Sequence, residues 1–208
     1  MPILRDLFCP DNCACLLCGQ ECEELKHYIC PNCAAALRPS VNPAPPDGLD
    51  GLTAGLCYDG GAAKAVKDLK FNEGTVYADF LAQFMMLPSE WSADYIVPVP
   101  LHPWRELWRG YNQSTLLAEC VAKKSAVPVN TKLLLRTRYT APQSRLGGRE
   151  RKHTMSRAFE ASAAARDKVI VLVDDVCTTG TTLSACAAAL RKAGARRIYA
   201  VCATAAGR

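Results

Sequence analysis

Two adjacent carboxylates, Asp174 and Asp175, stand directly after the apolar run Val169-Ile-Val-Leu-Val173 and lead into Val176-Cys177-Thr178-Thr179-Gly180-Thr181-Thr182. Carboxylates accept hydrogen bonds from vicinal hydroxyls, and two of them side by side at the end of a buried strand are costly unless a polyol or a cation meets them. Threonine hydroxyls and backbone N–H groups freed by a glycine donate to phosphate. They do so best where the loop opens a helix whose positive dipole end faces the same point. The pattern points to a ligand with a polyol at one end and a phosphate monoester at the other. Helix capping alone needs one such side chain, and four threonines around Gly180 exceed that need.

A second chemistry lies near the N-terminus. Seven of the twelve cysteines, Cys9, Cys13, Cys15, Cys18, Cys22, Cys30 and Cys33, fall in the first 33 residues. Cys15-Leu-Leu-Cys18-Gly19 and Cys30-Pro-Asn-Cys33 are paired C-x-x-C knuckles, a spacing that lets two tight turns present four thiolates tetrahedrally to one Zn²⁺. Four thiolates leave no open coordination position, so the metal is expected to be structural. Cys9, Cys13, Cys22 and His27 are alternative ligands or a second site. Disulfides are the competing reading, disfavoured because the N-terminus lacks the order of a secretory signal and a cytoplasmic, reducing setting is expected.

The elements that must position these groups follow from the pattern. Val169–Val173 is a continuous, mostly β-branched run, as in a strand buried on both faces of a parallel sheet. The Ala-rich stretch after the threonine loop ends in Arg191, Lys192 and Gly194, so it reads as a helix over 181–193. Further helices are expected at 61–70, 75–87 and 104–124, and strands at 95–99, 132–136 and 197–203. Trp104-Arg-Glu-Leu-Trp-Arg109 reads as an amphipathic turn of helix packed by its tryptophans. The proline-dense stretch after Arg38 divides the chain into a small domain at 1–38, a linker at 39–51 and an α/β domain at 52–208.

With 25 basic and 20 acidic residues the net charge is +5, but the window Lys132 to Arg157 alone carries +7 and the rest −2. Such a segment suits an anionic partner, phosphorylated metabolite or nucleic acid, and its Gly147-Gly148 pair and lack of apolar period suit a flap. No apolar run is long enough for a membrane span. The chain lacks both G-x-x-x-x-G-K-[ST] and G-x-G-x-x-G after a strand, so P-loop hydrolysis and dinucleotide redox lack their parts.

The stretch VIVLVDDVCTTGTT resembles the phosphoribosyl pyrophosphate (PRPP) motif of type I phosphoribosyltransferases. That resemblance implies that Asp174 and Asp175 hold the ribose hydroxyls, that Cys177, Thr178, Thr179, Gly180, Thr181 and Thr182 wrap the 5′-phosphate, and that Mg²⁺ accompanies PRPP. It also makes the loop after an earlier strand, Val99, Pro100 and Leu101, the pyrophosphate side. Paired zinc knuckles, then VPVPLHPWRELWRGYNQS, then TAPQSRLGGRERKHTMSRAF, then the PRPP motif are together similar to the ComF family. Its members are amidophosphoribosyltransferase-like proteins associated with DNA uptake in transformable bacteria. By that resemblance Lys70, Arg109, Asn112, Gln113, Gln143 and Arg151 fall on characteristic positions, and Arg149 joins the flap. The sequence departs from the family at Thr154 and in its extra cysteines.

The expected fold is therefore α/β, a type I phosphoribosyltransferase-like parallel sheet preceded by a small four-cysteine zinc ribbon. The expected function is PRPP binding in natural transformation, with handling of incoming single-stranded DNA in the cytoplasm and contacts to proteins of the uptake machinery. Two alternatives stand beside it: an active phosphoribosyltransferase acting on an unidentified base or amine, and a structural zinc adaptor. No residue presents itself as a general base beyond His102 and His153.

Overall fold

Alternation along the central strand sets the layers. In β5 (Val169–Cys177) the residues Ile170 and Leu172 face one side of the sheet and Val171 and Val173 the other, all of them buried. Our computed structural model describes residues 14–22, 25–26, 28–71, 74–137 and 158–206. Within them β1 (Gly51–Cys57), β2 (Tyr95–Pro98), β5 and β6 (Arg197–Ala205) form a four-stranded parallel sheet in the order β1-β6-β5-β2.

Helices α2 (Gly60–Phe71), α3 (Gly74–Ala82) and α5 (Gln113–Ser125) cover the Val171/Val173 face through Val66, Leu69, Phe80, Leu81 and Leu117. Helix α6 (Thr181–Lys192) covers the Ile170/Leu172 face through Leu183, Cys186 and Leu190. The antiparallel pair β3 (Leu134–Arg136) and β4 (Phe159–Ala161) lies on that same side. A sheet covered on both faces is the reason its inner strands read as unbroken apolar runs.

Four expectations change. The helix expected over 104–124 is two helices, α4 (Pro103–Arg109) and α5, because Gly110 turns left-handed at φ 81° and Asn112 starts a new helix with its own side-chain cap. The tryptophans of α4 do not pack it down: Trp104 and Trp108 are 72% and 77% exposed, and no residue of α4 is buried. The strand expected at 132–136 is β3, outside the parallel sheet. It pairs with β4, and Thr137 N–H donates to Ala158 O at 2.9 Å, which closes a stem at both ends of the basic segment. Finally, β5 runs through the acid pair instead of stopping at Val173, since Asp174 stays in register with Cys202 and Cys177 with Ala205.

The N-terminal residues join the main core. Leu17 and Ile29 are buried in the same apolar cluster as α2 and α3, and Tyr77 Oη donates to Leu16 O at 3.5 Å. The short helix α1 (Pro31–Ala36) begins within the second cysteine knuckle. The proline-rich stretch is tied along the domain: Ser40 N–H donates to Gly55 O, and the Asn42 side chain accepts from Ala54 N–H. Its end lies along α6, where Arg191 donates to Gly48 O and Asp50 accepts from Ile198 N–H at 2.7 Å.

Candidate functional site

The end of β2 creates the site. Val99 N–H donates to Val173 O at 2.9 Å, the last link between β2 and β5, while β6 continues to pair with β5 on the other side. Asp174 and Asp175 thus emerge where one neighbouring strand has stopped, the crevice at the carboxyl edge in which open α/β sheets bind ligands. Both are almost fully buried, at 8% and 3% exposed.

Their partners differ. Asp174 Oδ1 accepts from Ser114 Oγ at 3.0 Å and from the Asp175 N–H at 3.0 Å. Burial, reinforced by the neighbouring charge of Asp175, pushes the Asp174 carboxyl up to about 8. Asp175 Oδ2 pairs with Lys70 Nζ at 2.6 Å, and its backbone carbonyl accepts from Thr204 Oγ1 at 3.0 Å. Asp174 therefore keeps its proton near neutral pH, while Asp175 faces the Lys70 ammonium. Such a pair offers an acceptor and a donor together, the complement of two adjacent hydroxyls.

The threonine loop follows at once. Thr178 and Thr179 are exposed, and Thr179 Oγ1 lies 2.9 Å from Thr181 Oγ1. Gly180 occupies the N-cap of α6 at φ 71° with no side-chain capping bond, so the first N–H groups of a twelve-residue helix face outward at its positive end. A Cβ on Gly180 would collide with the Pro46 ring, so the proline segment sits directly on the loop's glycine. Cys177 is buried, its thiol hydrogen-bonded to Cys202, and it turns away from the loop's open side.

The other expected residues are placed as follows. Val99 has both backbone groups engaged, its carbonyl accepting from Asn112 Nδ2 at 3.1 Å, and Pro100 has no N–H; Leu101 holds the remaining backbone donor of that stretch. Arg109 donates to Gln113 Oε1 at 2.5 Å and lies 5.3 Å from the Phe71 ring, and burial holds its guanidinium below the ordinary range. Lys70 faces Asp175. Gln143, Arg149 and Arg151 lie outside the described residues, as do Cys9, Cys13, His27 and His153.

Sequence reasoning missed Ser114, Arg136 and Pro46. Ser114 reaches Asp174 across 60 residues of chain, and its one legible signal is its place just after the Asn112 cap. Arg136, at the end of β3, is near enough to Arg105 and Asp174 to interact electrostatically with both. A cleft of about 460 Å³ between Ile29, Leu37, Phe80 and Phe84 lies away from all these groups, against the cysteine module, and carries none of this chemistry.

In the cysteine module the Sγ atoms of Cys15, Cys18, Cys30 and Cys33 all lie within 4.8 Å of one another. The Cys18–Cys30 separation of 3.9 Å matches the edge of about 3.8 Å for a tetrahedron with Zn–S bonds of about 2.3 Å. The donor set fits the ion. Burial opposes ionisation of Cys15, yet N–H groups from Cys18, Cys30 and Leu17 prevail and lower it to about 6, and the Cys30 N–H donates to its sulfur at 3.3 Å. Cys22 and the other described cysteines stand outside this cluster.

The family model described as phosphoribosyl transferase domain matches residues 113–208. The chain is 32% identical over 216 aligned positions to the DNA utilization protein YhgH of Salmonella typhi, covering 90% of this chain and 95% of that one. It is 34% identical to competence protein F of Haemophilus influenzae over half of this chain and 46% of that protein. Against competence protein ComFC of Bacillus subtilis it is 36% identical over 48% of this chain and 39% of that protein. Among solved structures, the B. subtilis glutamine PRPP amidotransferase aligns at 21% identity and a TM-score of 0.38, over 67% of this chain and 25% of that one. A phosphoribosyltransferase-type parallel sheet behind a four-cysteine cluster, with near full-length similarity at 32% identity, shows that this chain belongs to the ComF family.

Proposed function

We propose that the crevice binds PRPP or a related ribose phosphate and that the protein uses this pocket in handling single-stranded DNA during uptake. The observation that carries the reading is the buried acid pair beside an uncapped, threonine-lined helix N-terminus. Asp174 and Asp175 would take the ribose hydroxyls, and Thr178 to Thr182 with the first N–H groups of α6 the 5′-phosphate. Mg²⁺, a hard cation served by oxygen ligands, would bind mainly through the ligand's pyrophosphate and ribose oxygens. Zn²⁺ in the four-cysteine cluster would be structural. The division into 1–38, 39–51 and 52–208 is our proposal for the units that fold with and without the metal.

The DNA half of the reading draws on relatives named for competence and DNA utilization, and on the +7 window. No helix among the described residues is long and apolar enough to cross a membrane; we propose a cytoplasmic site of action, in contact with uptake proteins. Turnover of PRPP is the second reading. The protonated carboxyl of Asp174 favours it by offering a group able to exchange a proton at the pocket floor.

Thermal unfolding with PRPP and Mg²⁺ tests the pocket. Wild type should gain stability, because a ligand that binds only the folded state raises its apparent melting point, and Asp174→Asn with Asp175→Asn should remove the gain. Unchanged protection in the double variant overturns the assignment. Gel shifts with single-stranded DNA should weaken steeply with salt, and PRPP should compete where pyrophosphate of equal charge does not.

A further inference from the structure

Helix α4 carries a surface that the fold does not use. Trp104, Leu107 and Trp108 are 72%, 77% and 77% exposed, and Phe71 at the end of α2 is 57% exposed. Phe71 and Trp108 meet edge to face with ring centroids 6.4 Å apart, so the aromatic groups of two helices form one patch. Exposed apolar residues scattered singly are ordinary; four in a cluster mark a binding surface. The helix does not depend on them either. It starts on the His102 side chain, which accepts from the Trp104 N–H, and on Pro103, and ends at left-handed Gly110.

The surroundings of the patch identify its occupant. Arg105 and Arg109 alternate with the tryptophans along α4, and Arg109 stacks over the Phe71 ring at 5.3 Å. Lys67 lies one turn before Phe71 on α2, and Lys70, the residue adjoining Phe71, is the one paired with Asp175. Arg105 is also within electrostatic reach of Arg136 on the stem of the basic segment. Aromatic faces interleaved with cations, against the single acid Glu106 on that helix, suit a chain of planar bases joined by phosphates. Lys67 and Lys70 beside the patch weigh against a protein partner, since protein interfaces are enriched in aromatics and arginine but depleted in lysine.

We propose that Trp104, Trp108 and Phe71 form a stacking platform for the bases of single-stranded nucleic acid at the lip of the acid-pair pocket. The platform deepens the DNA reading above and rests on it. Bases stack on the indole and phenyl faces, while Arg105 and Arg109 receive the phosphates. Stacking needs no particular base, so binding through this surface is expected to be tolerant of sequence. The position next to Lys70 brings the strand to the edge of the ribose-phosphate pocket, so one strand can meet both.

Fluorescence anisotropy with a labelled oligothymidylate and an abasic strand of equal length, at fixed ionic strength, tests this on the full chain. Wild type should bind the base-bearing strand roughly ten-fold or more tightly than the abasic one. Trp104→Ala and Trp108→Ala should each remove most of that preference while leaving abasic affinity unchanged, and Trp108→Phe should retain much of it. Because these side chains are solvent-exposed, melting temperature and the PRPP-induced shift should match wild type, which separates this test from that of the pocket. Equal binding of both strands by wild type, or wild-type oligothymidylate affinity in the alanine variants, overturns the platform and leaves the patch to a protein partner. Failure of wild type to bind either strand overturns both the platform and the DNA reading, whatever the PRPP shift shows.

Discussion

Asp174→Asn should make the protein more resistant to rising pH. The Asp174 carboxyl has its folded value pushed up to about 8 by burial and by Asp175, against an ordinary value near 3.8. Between those limits the folded state holds a proton that the unfolded chain has released, so stability falls as pH rises. One extra bound proton corresponds to roughly 1.4 kcal/mol per pH unit, or about 2 kcal/mol between pH 6 and 7.5. For a chain of this length that is a fall of about 4 to 8 °C in melting temperature. Asparagine mimics the protonated acid, keeps the acceptor for Ser114, and removes the titration, so the variant should lack this component of the slope. Thermal denaturation of both proteins across pH 6 to 8.5, without ligand, reads the difference directly, and other groups such as the cysteines contribute equally to both curves. The variant should already be ahead at pH 6, because wild type loses stability from near pH 4 upward, and its lead should widen toward pH 8. Parallel curves would falsify the assignment of a retained proton to Asp174.

Two further outcomes are expected. Cys18→Ser should lower zinc content below the expected one ion per chain, measured by elemental analysis, and lower the melting temperature; a metal-free wild type that folds normally refutes the structural metal. Gly180→Ala should destabilise the protein by about 1 kcal/mol or more and abolish PRPP protection, because its φ is 71° and an added Cβ would collide with Pro46; retained protection in a thermal shift assay refutes the seating of Pro46 on the loop.

The local motifs were legible in the sequence because each is contiguous. The apolar run before Asp174, the threonines around Gly180 and the two cysteine knuckles declare strand, anion loop and metal turn through neighbours a few residues away. The break of the 104–124 helix was nearly legible too, since Gly110 and Asn112 carry the stop and start signals at the right spacing.

Four features required the tertiary structure. The proton held by Asp174 depends on burial beside Asp175 where β2 ends, against the opposing pull of Ser114 and Lys70, groups brought together from segments that no local pattern links. The proline stretch reads as a spacer because proline forbids regular pairing, yet its remaining N–H and carbonyl groups bond along β1 and α6. The strand at 134–136 changed sheets because its partner is the segment on the far side of the basic window. The tryptophans of α4 had the spacing of a core helix, but spacing fixes only that they share a face. Whether that face meets the core or water is decided by how the helix packs in the fold, and here α4 buries no residue and leaves both tryptophans exposed.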